Sequence, residues 1–246
     1  MEEWDCVWNG IYTSIAECGI IPIVHLVMHG NTTHIGIKKG EKGVVLHTQL
    51  FEKVRKANEL SQNNIFFSMA VCEGLNVIRS LDIIRQHMPF CGIIASEKVM
   101  INDETLDNYT IFYQSFFKTL DLNKAEAELR TNGVNTKDYV ICKPEEVFMN
   151  SMAGYLQANS KANKIEERAE KLAKDGNIVL CSPEERNRFI QDVRALVAEE
   201  DAKAYKECLR TFFILDVYPD IADRFSVLKS LDEFKEWALQ SGVNLY

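Results

Sequence analysis

The apolar positions change period several times along the chain. Over 2–18 they fall at helical spacing, with Trp4, Val7, Trp8, Ile11 and Ile15 on one stripe, and Cys18-Gly19 closes the segment. Ile20 to Met28 is almost continuously apolar, which predicts a short strand buried in a parallel sheet and stopped by the turn-forming His29-Gly30-Asn31. Ile35-Gly36-Ile37 and Val44-Val45-Leu46 flank a polar, glycine-containing stretch with Lys38-Lys39, the pattern of a hairpin. Thr48 is placed to cap a helix over 49–60 with Leu50, Phe51, Val54 and Ala57 inward. Ile65–Val71 predicts a second buried strand. Leu75, Ile78, Leu81 and Ile84 predict a helix over 75–87, and Phe90–Ala95 a third strand. Asn102 or Asp103 opens a helix over 104–119 that carries Leu106, Tyr109, Phe112, Tyr113, Phe116 and Phe117, an aromatic run read as core; a short helix over 123–131 follows.

Strands alternating with helices argue an α/β fold, a mostly parallel sheet wound on both faces. Tyr139-Val140-Ile141-Cys142 adds a candidate strand. Beyond it the patterns over 145–174, 184–200, 202–217, 220–228 and 230–240 are helical. Ser182-Pro183-Glu184-Glu185 is a strong helix start, with a capping hydroxyl, a proline at the first helical position and a glutamate three residues on. The reading divides the chain into an α/β domain over 1–142 and an α-helical C-terminal region over 143–246.

Composition narrows the functions. Apolar residues make up 46% of the 246 positions and charged residues 26%, values of a folded globular chain rather than a disordered one. The formal charge of −8 argues against nucleic acid as the main partner. Seven cysteines at wide spacings, with no CxxC pair, match neither a common zinc site nor a disulfide framework. No metal or cofactor is expected. No apolar run approaches the roughly 20 residues of a membrane span, and the acidic start is unlike a signal peptide. The expectation is a reduced, cytoplasmic chain with no membrane partner.

In a parallel α/β sheet, sites form beyond the C-terminal ends of the strands. His29 follows one strand and Cys72 follows the next, each with a glycine close behind, in His29-Gly30 and Cys72-Glu73-Gly74. An imidazole can take a proton from a thiol and make it a nucleophile. A helix beginning after Cys72 would aim its positive end at the sulfur, and backbone N–H groups of Gly30 and Cys72 could hold an oxyanion. Structural readings stand beside this one: free cysteine is among the most buried residue types, and a lone histidine is usually a satisfied one.

The segments Ile-Val-His-Leu-Val-Met-His-Gly (23–30) and Phe-Phe-Ser-Met-Ala-Val-Cys-Glu-Gly (66–74) resemble the strand-then-His-Gly and strand-then-Cys segments of caspase-like cysteine peptidases. The 43-position gap compares with about 50 in caspases. Ala95-Ser96, Asp103-Glu104-Thr105, Phe112-Tyr113 and Lys124-Ala125-Glu126-Ala127 follow the order of the bacterial CHAT-type subgroup, over about residues 20–130. The resemblance implies a caspase-like fold and cleavage of a protein or peptide substrate through an acyl-enzyme. Cys72 is then the nucleophile, His29 the general base, and Ala70, Glu73 and Ser96 substrate-binding positions. Ala70 stands where caspases carry glutamine and basic-specific relatives aspartate, which implies a neutral or apolar substrate residue. Glu73 would raise the thiol pKa if turned inward. Relatives of this kind are often latent and serve in antiphage defence or cell death, so an activating partner protein or small-molecule signal is expected. No strand precedes helix 2–18, which leaves a short sheet edge for 139–142 or a second copy of the chain to complete.

The other histidines read as structural: His25 as packed core, His34 as a solvated loop residue, His47 and His87 as helix-boundary residues, with His87 explained by a helix C-terminus. The acidic pairs read as helix starts and solvated faces. Two further readings stay open. One is a non-catalytic scaffold that binds a partner protein or a nucleotide signal, favoured by Ala70 and Glu73. The other is a cysteine hydrolase of a small amide.

Overall fold

The computed structural model describes residues 2–36, 43–159, 162–225 and 230–243. The Lys38-Lys39 turn lies outside the described residues, as does the end of the helix expected over 220–228. The chain divides into two compact units, residues 1–82 with 86–144, and residues 83–85 with 145–246.

The first unit is α/β. Helix α1 (Glu2–Cys18) is followed by strand β1 (Ile23–Gly30), the short strands β2 (His34–Gly36) and β3 (Val44–Leu46), and helix α2 (His47–Leu60). Then come β4 (Phe66–Val71), a 3-10 segment over Gly74–Ser80, β5 (Gly92–Ser96), helices α3 (Asn102–Thr119) and α4 (Leu122–Asn132), and β6 (Tyr139–Cys142). The described strands form one sheet in the order β3-β2-β1-β4-β5-β6. Its centre, β1-β4-β5, is parallel, and both edges are antiparallel. The fold is therefore α/β with a mixed sheet. The strand read at 139–142 fills the edge beside β5, opposite the hairpin.

The sheet's alternation sorts the core into two layers. Phe67 stacks with Phe90 and packs on Phe51 of α2, all three nearly or fully buried. Leu50, Val54 and Ala57 complete that contact, as their spacing predicts. On the other face, Phe66 stacks on Phe112 and Phe116 of α3. Outside α2 lies α1, tied by Lys53–Asp5 (2.7 Å), by the Tyr12 hydroxyl donating to Lys53 O (3.1 Å), and by Trp8, Tyr12 and Ile15. The buried face of α1 thus runs through Tyr12, whereas Val7 of the predicted stripe is exposed. Burial, with Asp5 nearby, pushes the Tyr12 phenol up to about 12.

Asn58 sets the entry to the central strands. Its side chain is fully buried, donates to Asn63 Oδ1 (2.7 Å) and Met88 O (2.8 Å), and accepts the Ile65 N–H (3.0 Å). The loop between α2 and β4 reaches this arrangement with Gln62 and Asn63 in the left-handed region.

Three expectations are corrected. The residue preceding α2 is Leu46, so Thr48 lies inside the helix and is not its cap. The helix over 75–87 is only a 3-10 segment that ends where Leu81 turns extended. The aromatic run of α3 is core only in part: Tyr109 and Phe112 are buried, while Phe117 is exposed.

The second unit is helical: α5 (Pro144–Asn159), α6 (Ala162–Asp175), α7 (Pro183–Phe212) and α8 (Leu231–Gln240), with a 3-10 segment over Pro219–Arg224. Ser182 caps α7 by accepting the Glu185 N–H (3.1 Å), at the start its sequence predicts. The two helices expected over 184–200 and 202–217 are one 30-residue helix. Its core packs Phe148, Tyr205, Phe212, Phe213 and Phe234 edge to face and at a tilt. No helix among the described residues is long and apolar enough to cross a membrane.

Replacing Phe67 with Ala removes a fully buried ring that stacks on Phe90 and packs at a tilt against Phe51. A loss of about 3–5 kcal/mol is expected, measured as a lower urea midpoint at unchanged slope.

Candidate active site

The parallel register of β1 and β4 runs from Ile23↔Phe66 to Met28↔Val71. His29 and Cys72 are the next residue of each chain beyond that last pair. Alternation puts His25, Val27 and His29 on one face of β1, and Ser68, Ala70 and Cys72 on the same face of β4. The expectation of a strand buried on both faces is corrected here. His25, Val27 and His29 are exposed, and Val27 keeps 73% of its surface.

That face stays open because α3 covers only the lower part of the sheet. Tyr109 and Tyr113 reach the level of His25, but toward the strand ends only Thr105 and Leu106 of the first turns remain. The result is a cavity of about 430 Å³. His25, His29, Ala70 and Cys72 line its sheet side, and Met100, Thr105, Leu106 and Tyr109 face them. Leu106 is 70% exposed at its mouth.

Cys72 is the first residue beyond β4 and is half-buried. Its Sγ accepts the Met100 N–H at 3.5 Å. This donor, absent from the sequence reading, stabilises negative charge wherever it develops on the sulfur. The loop that carries Met100 is held to the turn after Cys72 by the Glu73 N–H donating to Lys98 O (3.0 Å). Among the described residues no hydrogen bond joins the His29 ring to Sγ. Catalytic hydrogen bonds often tighten only with substrate in place.

Gly30 closes β1 opposite Ile35. A Cβ there would lie 2.2 Å from Val71 Cγ1 and 3.0 Å from Cys72 O, so glycine is what allows the His29 and Cys72 strand ends to meet. Glu73 takes φ 55°, the left-handed region, at a cost of about 1–2 kcal/mol for a residue with a Cβ. It is half-buried and does not line the cavity. Ser96, proposed for substrate binding, is 2% exposed and spends its hydroxyl on its own turn, donating to Lys98 O and accepting the Lys98 N–H. Of the three predicted substrate positions, the cavity takes in Ala70 alone. The predicted dipole at Cys72 is also corrected, since the short 3-10 segment after it is no α-helix.

His25 is the residue whose role the sequence reading missed. It is not packed core. Its Nδ1 lies 2.8 Å from Ser68 Oγ and 2.8 Å from the Tyr113 hydroxyl, and its ring meets Tyr109 edge-on at 5.1 Å. Desolvation by these neighbours holds its pKa below the usual 6.5. Burial also raises the Tyr113 phenol, and raises Tyr109 well above 10, so both stay protonated. Among the described residues the buried Tyr109 hydroxyl has Ser68 as its polar neighbour but makes no full hydrogen bond.

The remaining histidines are structural. Asn31 Nδ2 (3.1 Å) and Thr33 Oγ1 (3.0 Å) hold the His34 ring within its own turn. His87 sits 2.6 Å from Glu59 Oε1, and this carboxylate, not a helix C-terminus, explains it. His47 is 4% exposed, its Nε2 has no partner among the described residues, and burial, then the proximity of His34, lowers its pKa. Among the described residues, no three His, Cys, Asp or Glu side chains converge as metal ligands would.

Compared with protein-family models, with curated proteins and with solved structures, the chain matches none.

Two outcomes are expected from this geometry. Gly30→Ala forces β1 from β4 at the strand ends and costs about 1–3 kcal/mol, measured by urea unfolding. His47, held neutral by burial, contributes stability that is complete above pH 6.5 and lost as pH falls from there through its lowered pKa. The drop in stability between about pH 7.5 and about pH 5.5 is expected to shrink in His47→Gln.

Proposed function

We propose that the first unit is a cysteine peptidase of caspase-like kind, with Cys72 as nucleophile and His29 as general base. One observation carries the reading: the β1–β4 register runs to Met28↔Val71, and the next residue of each chain, His29 and Cys72, lines the same cavity. The resemblance of segments 23–30 and 66–74 to caspase-like peptidases points the same way.

In this mechanism His29 takes the thiol proton and Sγ attacks the peptide carbonyl, forming the C–S bond. The carbonyl oxygen gains the charge, and the N–H groups of Gly30 and Cys72 are its proposed donors. His29 returns the proton to the amine as the C–N bond breaks, leaving a thioester. Water, deprotonated by His29, then cleaves the thioester and restores the thiol. The exposed apolar rim of Val27 and Leu106 suits a peptide laid across the cavity mouth. The second unit is proposed as the regulatory part, answering to a partner protein or a small-molecule signal.

A second reading, a scaffold that binds without catalysis, draws on the absence of a hydrogen bond between His29 and Sγ. The two separate by labelling with peptidyl electrophiles that present varied residues next to the warhead, with and without cell extract as a source of activator. Labelling of the wild type at Cys72 is expected, none in Cys72→Ala, and a loss of at least about 100-fold in His29→Ala. A folded wild type that leaves Cys72 unlabelled in every case favours the scaffold.

A further inference from the structure

The cavity beside Cys72 is layered along the sheet. Ala70 lies two residues below Cys72 on the same face, about 7 Å at roughly 3.3 Å per residue. Val27 is its partner in the β1–β4 register. His25 and Ser68 pair one level further down, four residues or about 13 Å from the nucleophile. A peptide whose carbonyl sits at Sγ has its neighbouring side chain within reach of the first layer and short of the second.

The upper layer is apolar. Val27 and Ala70 line its sheet side, and Leu106 stands at the mouth. Met100 is held at the nucleophile, because its own N–H donates to Sγ. The polar groups around this layer are already occupied. The Thr105 hydroxyl donates to Ile101 O at 2.7 Å. The His29 ring is assigned to proton transfer. His25, Ser68 and Tyr113 share hydrogen bonds in the lower layer. No Lys, Arg, Asp or Glu lines the cavity, whereas Arg79, Glu97 and Lys98 line a separate one of about 290 Å³.

The exposure of this layer is the second observation. A central strand of a parallel sheet is normally covered on both faces, yet Val27 keeps 73% of its surface. Val99 and Ile101, on either side of Met100, keep 74% and 62%, and Leu106 keeps 70%. Apolar groups left open beside a nucleophile mark what the site binds.

Resting on the peptidase reading, we propose that this layer is the subsite for the residue just before the cleaved bond and takes a large apolar side chain, leucine or methionine, with Val27, Met100 and Leu106 as its specificity-determining residues. Such a side chain removes its own surface and that of Val27 and Leu106 from water together. A charged side chain loses its hydration there and meets no counter-ion. A carboxamide reaches no unoccupied partner and is disfavoured for the same reason. Alanine fills little of the layer and leaves Leu106 in water.

Two measurements test this, one of them independent of catalysis. Peptidyl acyloxymethyl ketones that differ only in the residue next to the warhead (Leu, Met, Ala, Gln, Asp, Arg) are compared on the wild-type protein, with labelling read at Cys72. The faster of leucine and methionine is expected to exceed each of the other four at least ten-fold. Any of those four coming closer overturns the assignment and leaves the peptidase reading standing. Leu106→Asp, at an exposed position, should raise the arginine-to-leucine ratio at least ten-fold. Val27→Thr, which keeps the shape, should lower the leucine-to-glutamine ratio at least three-fold. Ratios within one variant cancel any general change in thiol reactivity, and unchanged ratios in both variants overturn the assignment. The second measurement uses Cys72→Ala protein with 13C-methyl methionine, the Met100 signal being assigned through Met100→Leu. Acetylated peptides ending in leucine amide or aspartate amide are titrated at equal concentrations. A shift of the Met100 methyl with the leucine peptide alone is expected. If no probe labels the wild type, with or without cell extract, the peptidase reading falls and this titration alone decides the subsite. No shift with the leucine peptide, or the same shift with both, overturns it.

Discussion

The parallel pairing of β1 with β4 is the constraint on which the site depends. A parallel ladder fixes which residues stand level, and here it levels His25 with Ser68 and Val27 with Ala70. The same count carries His29 to Cys72. A slip by one residue would turn every one of these side chains to the opposite layer. Aromatic rings hold the register from both sides, buried Phe67 against Phe51 and Phe90, and buried Phe66 against Phe112 and the half-buried Phe116. The chemistry at the strand ends is thus aligned by hydrophobic packing some distance below it.

The open face above that core comes from where α3 begins. Its buried aromatics lie in its middle turns, and its first turns carry Thr105 and an exposed Leu106. The cavity is therefore a gap between a fully paired sheet and an incompletely covering helix. Polar groups cluster at its base in a column of Ser68, His25 and Tyr113, which share hydrogen bonds in a partly desolvated place. Such a column is costly unless its members satisfy one another, and it lies on the same face of the sheet as Cys72, a half-buried thiol that receives a loop N–H.

Much of the architecture was legible in the residues. Continuous apolar runs marked β4 and β5, the spacing of Leu50, Phe51, Val54 and Ala57 marked α2, and Ser182-Pro183 marked the start of α7. The pairing of His29 with Cys72 followed from their places after adjacent strands. What escaped had local causes. The apolar run of β1 read as buried on both faces, because nothing in it announces that α3 starts too late to cover Val27 and His25. His25, inside that run, carries the pattern of a core residue for the same reason. Leu75, Ile78, Leu81 and Ile84 have helical spacing, yet the chain turns extended at Leu81 and Ile84 is exposed. Glu199-Glu200-Asp201 looked like a helix boundary, but Glu199 is satisfied within the helix by Lys203 at 2.7 Å, and the helix runs on. The Met100 amide could not be found from residue type, since a backbone N–H carries no sequence signal.

Asn58 has a consequence for how the first unit opens. Its carboxamide joins the last turns of α2, the first residue before β4 and the approach to β5 through three short hydrogen bonds. The Ile65 amide proton is therefore guarded by a side chain and not by a neighbouring strand. Its exchange with solvent reports the opening of that joint. Helix end, loop and strand entry are tied together by one side chain, the arrangement of a segment that opens as a unit.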